Sequence, residues 1–92
     1  VVSGYKLARD VVITNELGLH ARSAAKIAEL AKKAMAPIWL KKGDEKADAS
    51  SILDILTLAC TKGTSITIVI EDPADLEILN AIAALAEGGF GE

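Results

Sequence analysis

Cysteine, histidine and aromatic side chains are nearly missing from this chain of 92 residues, and each scarcity excludes a class of protein. The one cysteine, Cys60, rules out an internal disulfide framework and a cluster of thiolate ligands, and a reducing, cytoplasmic setting fits it. Its immediate sequence neighbours, Ala59 and Thr61, supply no histidine or basic group, so a buried structural thiol is expected. The one histidine, His20, has no acidic cluster beside it, so no metal site and no cofactor are expected. Aromatic residues are limited to Tyr5, Trp39 and Phe90, which leaves a core of Ala, Leu, Ile and Val.

Positive charge is also scarce. The formal net charge is -3, and the only paired lysines are Lys32-Lys33 and Lys41-Lys42. Nucleic-acid binding is therefore not expected, because it calls for a basic stripe, often with aromatics for stacking. No apolar run approaches the length of a bilayer span, which argues against membrane insertion. The segment Val1-Val2-Ser3-Gly4-Tyr5-Lys6 lacks the basic-then-apolar order of a secretory signal, and a start without Met suggests processing or trimming. The ending Gly88-Gly89-Phe90-Gly91-Glu92 reads as a short frayed tail.

What is present is apolar residues, 51% of the chain, enough for a single domain over 1–92 with one core. Tyr5, Leu7, Val11 and Ile13 alternate with Lys6, Ala8 and Asp10, the period of a strand. Arg9 interrupts the apolar face, which sets one end of that strand near solvent. From Ala21 to Lys33 the period becomes helical, with Ala24, Ile27, Ala28 and Ala31 on one face and a Glu29–Lys33 pair on the other. Ala36–Lys41 predicts a second strand, Lys42-Gly43-Asp44 a hairpin turn, and Glu45–Ala49 a polar edge strand. Ser51-Ile52-Leu53-Asp54 has the form of a capping box opening a helix through Leu58. Ser65–Glu71 alternates as a strand, and Asp72-Pro73 opens a last helix whose buried stripe is Leu76, Leu79, Ile82 and Ala83, ended by Gly88.

The order βαββαβα contains two split β-α-β units. It predicts an α+β open-faced sandwich, a four-stranded antiparallel sheet with three helices on one face. Fold class does not determine function, so function must come from a site.

The candidate site is Leu17-Gly18-Leu19-His20-Ala21-Arg22-Ser23-Ala24. His20 stands where a loop becomes a helix, next to amides without intrahelical partners and the positive end of the helix dipole. A phosphate there gains donors and field, and the Arg22 guanidinium can grip its oxygens. A neutral imidazole supplies a nucleophilic nitrogen. Gly18 allows a sharp turn and keeps bulk away from an incoming partner.

Gly18-Leu19-His20-Ala21-Arg22 followed by small residues resembles the active-site signature of HPr, the histidine-containing phosphocarrier family of the bacterial phosphotransferase system. Ser51-Ile52-Leu53 resembles that family's regulatory-serine region, and the two motifs stand in register from about Tyr5 to Glu92. The resemblance implies that His20 takes a phosphoryl group on Nδ1 from enzyme I, charged by phosphoenolpyruvate, and gives it to EIIA-type domains. It makes the chain a carrier rather than an enzyme, working as a monomer. By position, Arg22 is the phosphate-binding neighbour, with Ala21, Arg22 and Ser23 offering contacts to the phosphate. Leu19, Ile52, Leu53 and Leu56 become the partner-docking residues, and Ser51 the target of HPr kinase/phosphorylase.

Departures from the family pattern are Ser23, where Pro is usual, and Ser50, where Lys is common. The loop Asn15-Glu16-Leu17-Gly18 and the ending Gly89-Phe90 resemble the proteobacterial and nitrogen-branch proteins. Two other readings are a regulatory relative acting by partner contact and a ligand-binding ACT-type domain. The presence of His20 argues against the first, and the lack of any sign of a tethered enzyme argues against the second.

Overall fold

Alternating side chains build a four-stranded sheet in the order β1-β4-β2-β3, every neighbouring pair antiparallel. The computed structural model describes residues 7–92, so the expectations for Tyr5 and Lys6 lie outside the described residues. The strands are β1 (Ala8–Val12), β2 (Ile38–Lys42), β3 (Glu45–Asp48) and β4 (Ser65–Ile70). In the central strand β4, Ile66, Ile68 and Ile70 are buried beneath the helices, while Thr67 and Val69 lie on the open face. That open face is polar: Thr67 Oγ1 donates to Asp10 Oδ1, Trp39 Nε1 donates to Glu71, and Lys46 lies over the Trp39 ring.

Three helices, α1 (Ala21–Ala31), α2 (Ile52–Leu56) and α3 (Leu76–Glu87), cover the other face, as the sequence pattern predicts. The expected α1 stripe of Ala24, Ile27, Ala28 and Ala31 is buried. Helix α1 ends before Lys33, so the expected Glu29–Lys33 pair does not form among the described ion pairs. Arg9 faces the helices and reaches Asn80 and Glu87 of α3, a polar clasp at the sheet edge.

Several boundaries differ from expectation for local reasons. Lys42 belongs to β2, and only Gly43-Asp44 forms the turn. From the strand end, Lys42 Nζ donates to the Leu58 carbonyl at 2.8 Å, tying down the turn that follows α2. Helix α2 stops at Leu56 because the chain tightens there: Thr57 N bonds to Asp54 O and Leu58 N to Ile55 O. Only half of the capping box forms, since Ser51 Oγ accepts the Asp54 amide while the Asp54 carboxylate turns to the Asp48 amide. Asp72 caps the last helical segment, which begins as a 3₁₀ turn over Pro73–Asp75. The change of pitch rotates Leu76 out of the expected stripe to the surface, while Leu79, Ile82 and Ala83 remain buried.

The ending is the largest correction. It is a folded strap rather than a frayed tail: Gly89, Phe90 and Gly91 run through positive φ and bring Phe90 back into the core, with no exposed surface. The left-handed conformation of Phe90 costs about 1–2 kcal/mol, and burial of its ring offsets about 2–3 kcal/mol. It is the one aromatic residue in an otherwise aliphatic core, among the described residues.

Candidate functional site

The loop from β1 to α1 is pinned at both ends. Ile13 N donates to Thr64 O, Gly63 N to Ile13 O, and Leu19 N to Cys60 O at 2.9 Å. Gly18 has φ +66, and a Cβ there would stand 2.3 Å from the Cys60 carbonyl oxygen. Its lack of a side chain therefore makes room for the chain's own backbone, not for an incoming partner. Cys60 is buried, and desolvation raises its thiol above the usual range, as expected of a structural thiol.

This pinned loop delivers His20 to the N-cap of α1 in an extended conformation. The amide of Arg22 donates to His20 Nδ1 at 3.3 Å. A backbone amide can only donate, so Nδ1 carries the lone pair, and in the neutral ring the proton sits on Nε2. Nε2 in turn lies 2.6 Å from Glu92 Oε2. The first turn of α1 holds no acidic residue, and Ala21 and Arg22 are exposed beside the ring. Among the described residues the Arg22 guanidinium makes no ion pair or hydrogen bond, which leaves its donors available.

Ser23 is fully buried, and its hydroxyl is already committed. It accepts the His20 amide at 2.9 Å and lies 3.2 Å from both the Gly18 and His20 carbonyls. The hydroxyl therefore secures the helix start through its capping-box bond to the His20 amide.

The docking residues divide. Leu53 is 77% exposed, Ile52 is exposed at the start of α2, and Leu56 is half-buried against the core. Leu19, expected among the docking residues, is a core residue at 7% exposure. Leu17, two positions earlier, takes the exposed place on the rim of a depression that also holds His20, Arg22, Lys26 and Glu92. Ser51 caps α2, while neighbouring Ser50 Oγ donates to Asp48.

Sequence reasoning missed Glu92 and Asn15. The buried Asn15 donates through Nδ2 to the Gly18 carbonyl at 2.8 Å and to Glu92 Oε1 at 2.9 Å. Hydrogen bonding from Asn15, with smaller contributions from His20 and Lys26, holds the Glu92 carboxyl below the usual range despite some desolvation. No local signal announces these contacts, because Glu92 and His20 are 72 positions apart.

An α+β domain that sets an imidazole nitrogen against the first amides of a helix brings a candidate nucleophile and a candidate anion cradle together, the arrangement expected of a carrier of anionic groups. The family model described as the phosphorylation site of the HPr component of the phosphotransferase system matches residues 7–88. The chain is 42% identical to phosphocarrier protein NPr of Shewanella violacea, covering 95% of this chain and 96% of that protein. It is 36% identical to phosphocarrier protein HPr of Cupriavidus necator, covering 94% and 97%. The solved structure of HPr-C-His from Thermoanaerobacter tengcongensis superposes with a TM-score of 0.86 at 34% identity, covering 92% and 96%.

The chain belongs to the HPr family of phosphocarrier proteins of the phosphotransferase system. It is a carrier in a phosphoryl relay rather than a catalyst, and the regulatory-only and ACT-type readings are not favoured. Among the described residues, no helix is long and apolar enough to cross a membrane.

Proposed function

We propose that His20 Nδ1 is the phosphoryl acceptor, taking the group from a phosphohistidine of enzyme I and passing it to a histidine of an EIIA-type domain. The observation that carries this reading is the Arg22 amide directed at Nδ1, which marks that nitrogen as the one facing the helix mouth. In transfer, the Nδ1 lone pair forms the new P–N bond while the donor's P–N bond breaks and its electron pair returns to the donor ring. Nε2 keeps its proton throughout, so no general base is needed. Positioning and charge stabilisation do the work, as in other loose phosphoryl transfers. The amides of Ala21 and Arg22 and the Arg22 guanidinium receive the phosphate oxygens.

Docking uses Leu17, Ile52, Leu53 and the exposed edge of Leu56, a small apolar patch suited to brief encounters. The carrier works as a cytoplasmic monomer of the proteobacterial or nitrogen-branch type. The Asn15–Gly18 loop and the Gly89-Phe90 ending support that type. Ser51 is assigned by register as the substrate of HPr kinase/phosphorylase, and incubation with that kinase and ATP that left Ser51 unmodified would remove the assignment.

The principal test is incubation with enzyme I and phosphoenolpyruvate. The expected result is an acid-labile phosphate, absent in His20→Ala, and its absence from the wild-type chain with a cognate enzyme I would refute the proposal.

A further inference from the structure

Glu92 stands at the end of the strap that folds back toward His20. Gly89 and Gly91, both at positive φ, flank the buried Phe90 ring, and Lys26 Nζ donates to the Phe90 carbonyl. Asn15, itself buried and bonded to the Gly18 carbonyl, holds Glu92 Oε1, and Oε2 is left against His20 Nε2. Each end of the imidazole is thus occupied by a different part of the chain: Nδ1 by the helix amide and Nε2 by the strap.

We propose that Glu92 is a positioning residue for phosphoryl transfer, accepting the Nε2–H of His20 so that the ring is held with Nδ1 unprotonated and directed to the mouth of α1. This rests on His20 being the acceptor. The contact has a consequence during transfer. As Nδ1 gives its lone pair to phosphorus, positive charge develops on a ring that keeps its Nε2 proton. The Glu92 carboxylate compensates that charge from the side opposite the incoming phosphate. The same arrangement serves the reverse step, when the P–N bond breaks and the lone pair returns to Nδ1.

Asn15 has a part in this geometry. Its amide must present Nδ2 to the Gly18 carbonyl, since the opposite orientation would set two carbonyl oxygens against each other. That constraint fixes which group meets Glu92 and leaves Asn15 Oδ1 buried without a partner. The site therefore carries a polar cost inside the fold to fix the carboxylate beside the histidine.

The test uses the 92-residue chain labelled with ¹⁵N in the imidazole, together with Glu92→Ala and Glu92→Gln. The wild type should show an Nε2–H proton signal for His20 protected from solvent exchange. Glu92→Ala should lose it, and Glu92→Gln, which keeps an acceptor oxygen, should restore it. With phosphorylated enzyme I, Glu92→Ala should lower kcat for transfer about tenfold while KM stays within about twofold. Glu92→Gln should fall between the two, since it keeps the hydrogen bond and lacks the charge. An unchanged Nε2–H signal and unchanged kcat in Glu92→Ala, in a chain that is phosphorylated, would overturn the role of Glu92. A wild-type chain that kept the signal but accepted no phosphoryl group would instead overturn the assignment of His20.

Discussion

Gly18 and Cys60 approach so closely that any Cβ at position 18 would collide with the Cys60 carbonyl oxygen, at 2.3 Å, and with the Thr61 Cα, at 2.8 Å. The loop that carries His20 is thereby held against the backbone that follows α2. The histidine inherits its position from that contact as much as from its own helix.

Gly18→Ala should accordingly cost about 2–4 kcal/mol, through both the collision and the positive φ. Gly63 is the control. It also has positive φ but open space where a Cβ would go, so Gly63→Ala should cost only about 1–2 kcal/mol. Urea denaturation of both variants checks the difference, and equal losses would mean that the close approach to Cys60 contributes nothing.

Leu19 and Leu53 separate packing from docking. Leu19 is buried, and Leu19→Ala should destabilise the fold by about 2–4 kcal/mol. Leu53 is exposed, so Leu53→Ala should change stability by no more than about 0.5 kcal/mol. The same change should raise KM for enzyme I while leaving kcat nearly unaltered, because it removes contact area and no reacting group. A Leu53→Ala protein with an unchanged KM would take that side chain out of the docking surface.

The residues legible in the sequence were those whose role depends on near neighbours. Alternation set out β4, helical spacing set out the buried face of α1, and Asp72-Pro73 announced the start of the last helical segment. The His20-Ala21-Arg22 cluster was legible for the same reason. Leu17 and Leu19 were not distinguishable, because a loop has no period to say which side chain turns inward. Asp75 looks like a solvated acid in a first helical turn, yet it is buried and accepts the amides of Met35 and Ala36, fastening the loop before β2. The ending was misread because glycine-rich segments usually lack the contacts that order them. Here one phenylalanine and one glutamate supply those contacts from across the fold.

Ser23 tests the difference between holding the helix and holding the phosphate. Ser23→Ala removes the acceptor of the His20 amide, which should cost about 1–2 kcal/mol in urea denaturation. Because the hydroxyl is buried beneath the backbone, the phosphohistidine lifetime should change by less than about twofold in Ser23→Pro as in Ser23→Ala. A clearly shortened lifetime in both variants would restore a direct phosphate contact.

Phe90 should link stability to the site. Phe90→Ala empties a fully buried position and should cost about 3–5 kcal/mol, read from urea denaturation. Since the ring anchors the strap, the same substitution should also weaken the Nε2–H signal of His20 in the fraction that remains folded. Retention of that signal at full strength would show that Asn15 alone is sufficient to hold Glu92.

The acid limb of stability tests the strap from another direction. The Glu92 carboxyl is held below its usual range in the folded chain, first by Asn15 and then by His20 and Lys26. A depressed carboxyl binds its proton more readily in the unfolded chain, so its contribution is present above about pH 4 and is lost as the pH falls through the folded value. Wild type and Glu92→Gln should therefore differ most in urea denaturation at higher pH and converge under acid. The difference should not vanish as the pH rises toward neutrality, because the carboxylate is then fully ionised in both folded and unfolded chains. A gap between the two proteins that widened as the pH fell below about 4 would reverse the sign of this linkage. It would mean that the protonated carboxyl, rather than the carboxylate, is the form that binds the strap to Asn15 and His20.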